Sequence, residues 1–145
     1  MTASQISIAI PAELQQVRVA AAALRGVLRA FDCDDDQASL IELAVVEAVN
    51  NAIEHAYAGV PDGRVELQLE ISHGALHICV TDTGRAMPAE ALARARAGLG
   101  EAAGEPREGG YGLGLILEVM SDVGYRTEHD LNTLKMSITL NRSPA

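Results

Sequence analysis

Apolar Ile6, Ile8 and Ile10 alternate with Ser7 and Ala9, and the run stops at Pro11. A period of two predicts a short, half-buried strand that ends where proline removes a backbone donor. From Ala12 the period lengthens. Leu14, Val17, Ala21, Leu24, Leu28 and Phe31 fall at helical spacing and predict a first amphipathic helix. A second helix is predicted over about 37–57, where Ile41, Ala44, Val45, Ala48, Val49, Ala52, Ile53 and Ala56 form one continuous apolar stripe. Asp34, Asp35 and Asp36 precede it. Carboxylates at a helix start accept hydrogen bonds from free N–H groups and suit the helix dipole. Three adjacent acids point in different directions, which disfavours reading them as a metal site.

Gly59-Val60-Pro61-Asp62-Gly63 reads as a turn. Val65, Leu67, Leu69 and Ile71 then alternate with charged or polar residues. After Ser72-His73-Gly74, Leu76, Ile78 and Val80 alternate again, which predicts an antiparallel hairpin. The stretch 88–107 is rich in Ala, Gly and Arg; it has room for one short helix, little to bury, and reads as a mobile segment. Gly109-Gly110-Tyr111-Gly112-Leu113-Gly114 opens a third helix expected to run to about Val123. Strands are expected over 125–128 and in the last segment, where Leu134, Met136, Ile138 and Leu140 face inward and Lys135, Ser137 and Thr139 outward. This order fits one α/β (α+β) domain over 1–145, a two-layer sandwich with an antiparallel or mixed sheet and helices on one face.

Composition narrows the function. The 145 residues suffice for a core without disulfide or metal support; with 3% aromatic residues, that core is built from Ala, Leu, Val and Ile. A formal charge of −9 argues against a phosphate-backbone binder and against docking on anionic lipid. No nucleic-acid or membrane partner is therefore expected. The first residues lack the basic and apolar parts of a secretion signal, and no apolar run reaches membrane-spanning length. Cys33 and Cys79 have no metal-ligand spacing. Together these features lead to the expectation of a cytoplasmic protein with reduced cysteines.

Three places carry candidate chemistry. Glu47 and Asn51 share a face of the second helix, with Asn50, Glu54 and His55 extending its polar surface. A solvated helix face is one reading. Two mid-helix asparagines fit it poorly, because asparagine is a weak helix former. A carboxylate with a carboxamide can instead orient an attacking group and hold Mg²⁺, which takes few protein oxygens beside water and phosphate. Asp82 has the parity of Leu76, Ile78 and Val80, so it either turns inward to meet a ligand donor or serves the Asp82-Thr83-Gly84 turn. An ionised carboxylate only accepts hydrogen bonds, so it suits the amino group of adenine better than the carbonyl of guanine. Gly110-Tyr111-Gly112-Leu113-Gly114 places bare N–H groups before a helix, where phosphates bind, although glycine hinges have the same composition.

Taken in order, these segments resemble the motifs of the Bergerat-fold ATPases, the superfamily of gyrase, Hsp90, histidine kinases and MutL. The N-box resembles Glu47 to His55, the adenine motif Asp82-Thr83-Gly84, and the glycine motif Gly110 to Gly114. Within the superfamily, 47–57 and 108–123 are similar nearly throughout to the anti-sigma serine kinases of the RsbW and SpoIIAB type. The resemblance implies a Bergerat ATP-binding fold with an ATP lid over about 88–107. It implies Glu47 as the general base and Asn51 as the Mg²⁺ ligand. The ATP-binding set it implies is Asn51, His55, Asp82, Gly84, Ala86, Gly110, Tyr111, Gly112, Leu113, Gly114 and Thr133. In that set Asp82 binds adenine, Gly84 lets the backbone approach it, and Thr133 supports the adenine site. Two departures stand out: Ala86 where many members have a glycine, and Asn132 in place of a common glycine before Thr133.

The resemblance further implies a homodimeric partner-switching protein kinase. It would use Mg-ATP, sequester a sigma factor and phosphorylate a serine on a STAS-domain anti-anti-sigma factor. Two alternatives keep the fold: an ATP-binding interaction module with little kinase activity, and an RsbT-type switch kinase that activates a phosphatase. The chain is too short for the gyrase, Hsp90 or MutL machinery and lacks the phosphoacceptor-histidine helix of a sensor kinase.

Overall fold

Each alternating run becomes a strand in the computed structural model, which describes residues 2–98 and 112–144. In chain order the elements are β1 (Ser4–Pro11), a 3-10 turn (Leu14–Gln16), α1 (Val17–Ala30), α2 (Asp35–Asn51) and a π-helical turn (Ala52–Ala56). They continue with β2 (Arg64–Ser72), β3 (Ala75–Asp82), α3 (Ala91–Gly98), α4 (Leu113–Val119), β4 (Asp122–Glu128) and β5 (Leu131–Thr139). The five strands pair in the order β1-β2-β3-β5-β4, and every pairing is antiparallel, so the mixed-sheet alternative falls away. The chain leaves β3 through α3 and α4, reaches the far edge as β4, and turns back to insert β5 beside β3.

Register organises the inner face into rows. One row runs Ile6, Leu69, Ile78, Met136, Val123; the next runs Ile8, Leu67, Val80, Leu134, Tyr125. Helices cover these rows. Every residue of the predicted α2 stripe, from Ile41 to Ala56, is buried. Leu24 and Leu28 of α1 and Ile116 of α4 complete the core. Burying one such Leu or Ile side chain stabilises the fold by about 1.5–3 kcal/mol. Asp34 caps α2, its carboxylate accepting from the Gln37 N–H at 3.1 Å, with Asp35 and Asp36 in the first turn. The acidic triplet therefore serves the helix start.

Several boundaries differ from expectation. The first helix begins with a 3-10 turn, and Leu14 there is exposed; the buried stripe of α1 is Val17, Ala20, Leu24 and Leu28. The third helix stops at Val119 rather than Val123. Met120 turns extended (ψ 146°), and the Ser121 N–H donates to the Ser137 carbonyl, which starts β4 beside β5. Val123 thereby pairs with Met136 in the sheet. Of the 88–107 segment, the described part carries α3, none of whose side chains is buried. Residues 99–107, with Gly110 and Tyr111, lie outside the described residues.

Candidate functional site

Beyond the last apolar row the inner face turns polar. Asp82 on β3 stands opposite Asn132 on β5, and Asn132 stands opposite Thr127 on β4. Strand parity thus carries Asp82 inward, as expected, and leaves it 9% exposed, with Asn132 at 1%. The Asn132 Nδ2 donates to Asp82 Oδ1 at 2.7 Å and to the Gly84 carbonyl at 2.9 Å. Thr127 Oγ1 donates to Asn132 Oδ1 at 2.8 Å, and the Gly84 carbonyl, which can only accept, fixes which way the carboxamide faces. The Gly84 N–H also donates to Asp82 Oδ1, at 3.0 Å. Burial pushes the Asp82 carboxyl above its ordinary range, and the hydrogen bonds from Asn132 and then Gly84 only partly oppose that shift.

Asp82 lies in a cleft of about 290 Å³ between the end of α2 and the sheet. Ala48, Ala52 and Ala56 form its helical side and Val80 and Leu134 its sheet side, leaving an apolar slot suited to a flat ring. Asn51, His55 and Ala86 also line it, so four of the expected ligand contacts converge there with Asp82 among them. The π-helical turn closes one end. The Tyr57 N–H donates to the Ala52 carbonyl at 3.1 Å, and the Ala56 carbonyl, left without a helical partner at this end, accepts from the Arg85 N–H at 2.8 Å. Tyr57 is buried. Its hydroxyl donates to the Arg64 carbonyl at 2.7 Å and accepts from the Thr83 N–H at 2.8 Å, tying helix end to strand end.

Two assignments change. Thr133 pairs with Thr81 on the opposite face of the sheet from Asp82, because inward positions on β5 are 132, 134 and 136. Asn132 takes the supporting place instead, and its parity with Leu134 was the available signal. Gly84 owes its smallness to the protein itself. A Cβ there would lie 2.3 Å from the Ala56 carbonyl oxygen, so its bare backbone lets β3 close against the π-helical turn. A Gly84→Ala protein is expected to lose roughly 1–3 kcal/mol, as overpacked cores do, and to melt several degrees lower by calorimetry. An unchanged Tm would mean that the two backbones part freely. Tyr125, missed in the sequence, lines the cleft and accepts from the Met87 N–H at 2.9 Å.

Glu47 stands just outside the lining, one helical turn before Asn51. It meets the start of α4: a Cβ on Gly112 would lie 2.3 Å from Glu47 Oε2. Gly112 also has φ 63°, so both its conformation and its neighbour call for glycine. Leu113 sends its side chain into the core, leaving its backbone as the only part able to face a ligand, and Gly114 has open space over it. The helix carboxylate and the glycine segment, distant in sequence, therefore touch.

A family model of the histidine kinase-like ATPase domain matches residues 10–138. The chain is 32% identical over 128 residues to a serine-protein kinase RsbW of Staphylococcus epidermidis, covering 84% of this chain and 79% of that one. It is 29% identical to the RsbW of Listeria innocua, covering 82% and 77%, and 27% identical to an anti-sigma F factor of Halalkalibacterium halodurans, covering 97% of each. Among solved structures, the RsbU and RsbW domains of Rv1364c from Mycobacterium tuberculosis superpose with a TM-score of 0.70 at 21% identity. That match covers 97% of this chain and 33% of the other. The catalytic domain of the histidine kinase ThkA superposes at 0.56 with 14% identity, covering 97% of both. These superpositions bear on the fold alone: the sheet under its helical layer is an arrangement that this chain shares with them.

Proposed function

The chain belongs to the histidine kinase-like ATPase domain family and, within it, to the RsbW-type serine-protein kinases, and from that membership we propose an anti-sigma factor that is also a protein serine kinase. It binds Mg-ATP in the α2–β3 cleft, sequesters a sigma factor, and phosphorylates a serine on a STAS-domain anti-anti-sigma factor. It works as a cytoplasmic homodimer. The observation that supports this most is the contact of Glu47 with Gly112, one helical turn along α2 from Asn51 of the cleft that holds Asp82. A nucleotide with adenine at Asp82 would direct its phosphates toward the start of α4, beside Glu47, whose carboxylate can accept a proton from an incoming hydroxyl.

The roles divide accordingly. Asp82 accepts from the adenine amino group; Asn132 holds it in position. The backbone N–H groups after Gly112 face the phosphates, with Gly110 and Tyr111 completing the glycine motif. Phosphoryl transfer asks a protein mainly for such positioning and charge stabilisation. The described residues contain no cluster of three His, Cys, Asp or Glu side chains able to hold a metal ion. Asn51 lines the cleft and offers a carboxamide oxygen, so it would hold a Mg²⁺ ion bound mainly by the phosphates, whose charge the ion would neutralise. Glu47 takes the proton from the serine hydroxyl.

The test is transfer of labelled phosphate from ATP to a purified STAS-domain protein of the same organism, combined with sigma-factor capture from the native host. Transfer and capture together are the expected result. ATP binding without transfer would favour an interaction module, and a phosphatase as the sole captured partner would favour the RsbT-type switch.

A further inference from the structure

Six large apolar side chains are markedly exposed among the described residues, and two of them, Leu40 and Leu43, lie three residues apart on α2. They are 50% and 46% exposed and take no part in the core cluster. Their helical position gives them significance. Asp36, Leu40, Leu43, Glu47 and Asn50 follow one another at intervals of four and three, so they form one stripe on the face of α2 opposite the buried Ile41-Val45-Val49 side. Leu43 is about 6 Å and Leu40 about 10 Å along the axis from Glu47. Isolated exposed leucines need no explanation. A pair in register with the proton-accepting carboxylate does, because a polypeptide that reaches Glu47 along α2 crosses both leucines.

We propose that Leu40 and Leu43 are the docking contact for the protein that carries the acceptor serine. This inference rests on the kinase reading above. The occupant it calls for has an apolar side chain about 6–10 Å from its serine, set among basic residues. The charge argument comes from the same stripe. Asp36 and the neighbouring Asp35 bound the leucine pair at one end, and Glu47 bounds it at the other, in a chain of net charge −9. An apolar centre with an acidic rim selects a partner of opposite charge and speeds its encounter. The leucines then supply the short-range contact that the nucleotide site lacks for a protein substrate.

The experiment compares wild type with a Leu40→Ala, Leu43→Ala protein, using as probe the STAS-domain protein that wild type phosphorylates. The expected result is a rise of about tenfold or more in KM for the STAS protein, in the range seen for truncated interface anchors. At saturating acceptor kcat is retained, and ATP affinity by calorimetry and Tm are unchanged. Added salt raises the wild-type KM as well, as an acidic rim requires. An unchanged KM overturns the proposal. So does a change in oligomeric state or in sigma-factor capture with KM intact, which would assign the patch to a second copy or to the sigma factor. If wild type transfers no phosphate to the STAS protein, the kinase reading itself fails, and this inference fails with it.

Discussion

A Glu47→Gln protein is expected to bind Mg-ATP nearly as well as wild type and to phosphorylate the acceptor serine roughly 10²–10⁴-fold more slowly, the usual contribution of a positioned general base. Glutamine keeps the shape of glutamate, so the packing of side chain 47 against Gly112 survives. What disappears is a proton acceptor beside the serine hydroxyl. Because Glu47 lies outside the cleft lining, the substitution leaves the adenine slot alone. Single-turnover transfer of labelled phosphate, with ATP affinity measured separately by calorimetry, distinguishes a lost base from a lost nucleotide. Transfer at the normal rate would remove Glu47 from this role.

The second large effect concerns Asp82 and separates binding from stability. Among the described residues, both hydrogen bonds to its carboxylate fall on Oδ1, from Asn132 and from the Gly84 N–H. An Asp82→Asn side chain must keep its carbonyl oxygen there to satisfy both donors. Its NH₂ then takes the place of Oδ2 and meets the adenine amino group donor to donor. ATP affinity is expected to fall about ten- to a hundredfold, the worth of a hydrogen bond to a charged group. Stability moves the other way. Burial raises the Asp82 carboxyl in the folded protein, so its favourable contribution is complete below the ordinary carboxylate pKa. That contribution is lost as pH rises through the folded-state value. At pH 7 the Asn variant is therefore expected to melt no lower than wild type, with any advantage shrinking as the pH falls toward about 4. A variant that binds ATP normally, or that melts well below wild type at pH 7, would contradict this account.

Much of this arrangement was legible in the sequence because periodicity records burial directly. The α2 stripe and the inward parity of Asp82 needed only counting. The face shared by Glu47 and Asn51 followed from a spacing of four. What escaped was decided by contacts between distant segments. No local pattern marks the π-helical turn at 52–56, whose Ala56 carbonyl finds its partner in Arg85, on the far side of a hairpin. The need for glycine at 84 is equally non-local, arising where that strand end meets the same carbonyl. The third helix is shorter than its sequence suggests because Met120-Ser121-Asp122-Val123 holds no Pro or Gly to stop a helix, and pairing with β5 ends it instead. At Thr133 the motif resemblance favoured a letter over a parity.

That last point reaches beyond one residue. Asn132 ties together three segments of the chain, with Thr127 on one side and Asp82 and Gly84 on the other. A substitution at any of these positions leaves a buried donor or acceptor for the others to answer. Positions 82, 127 and 132 therefore act as one unit, and exchanging any of them alone strands its partners, while position 133 on the other face can be exchanged without touching the set. The residue that a redesign of this pocket must keep is Asn132 and not its neighbour.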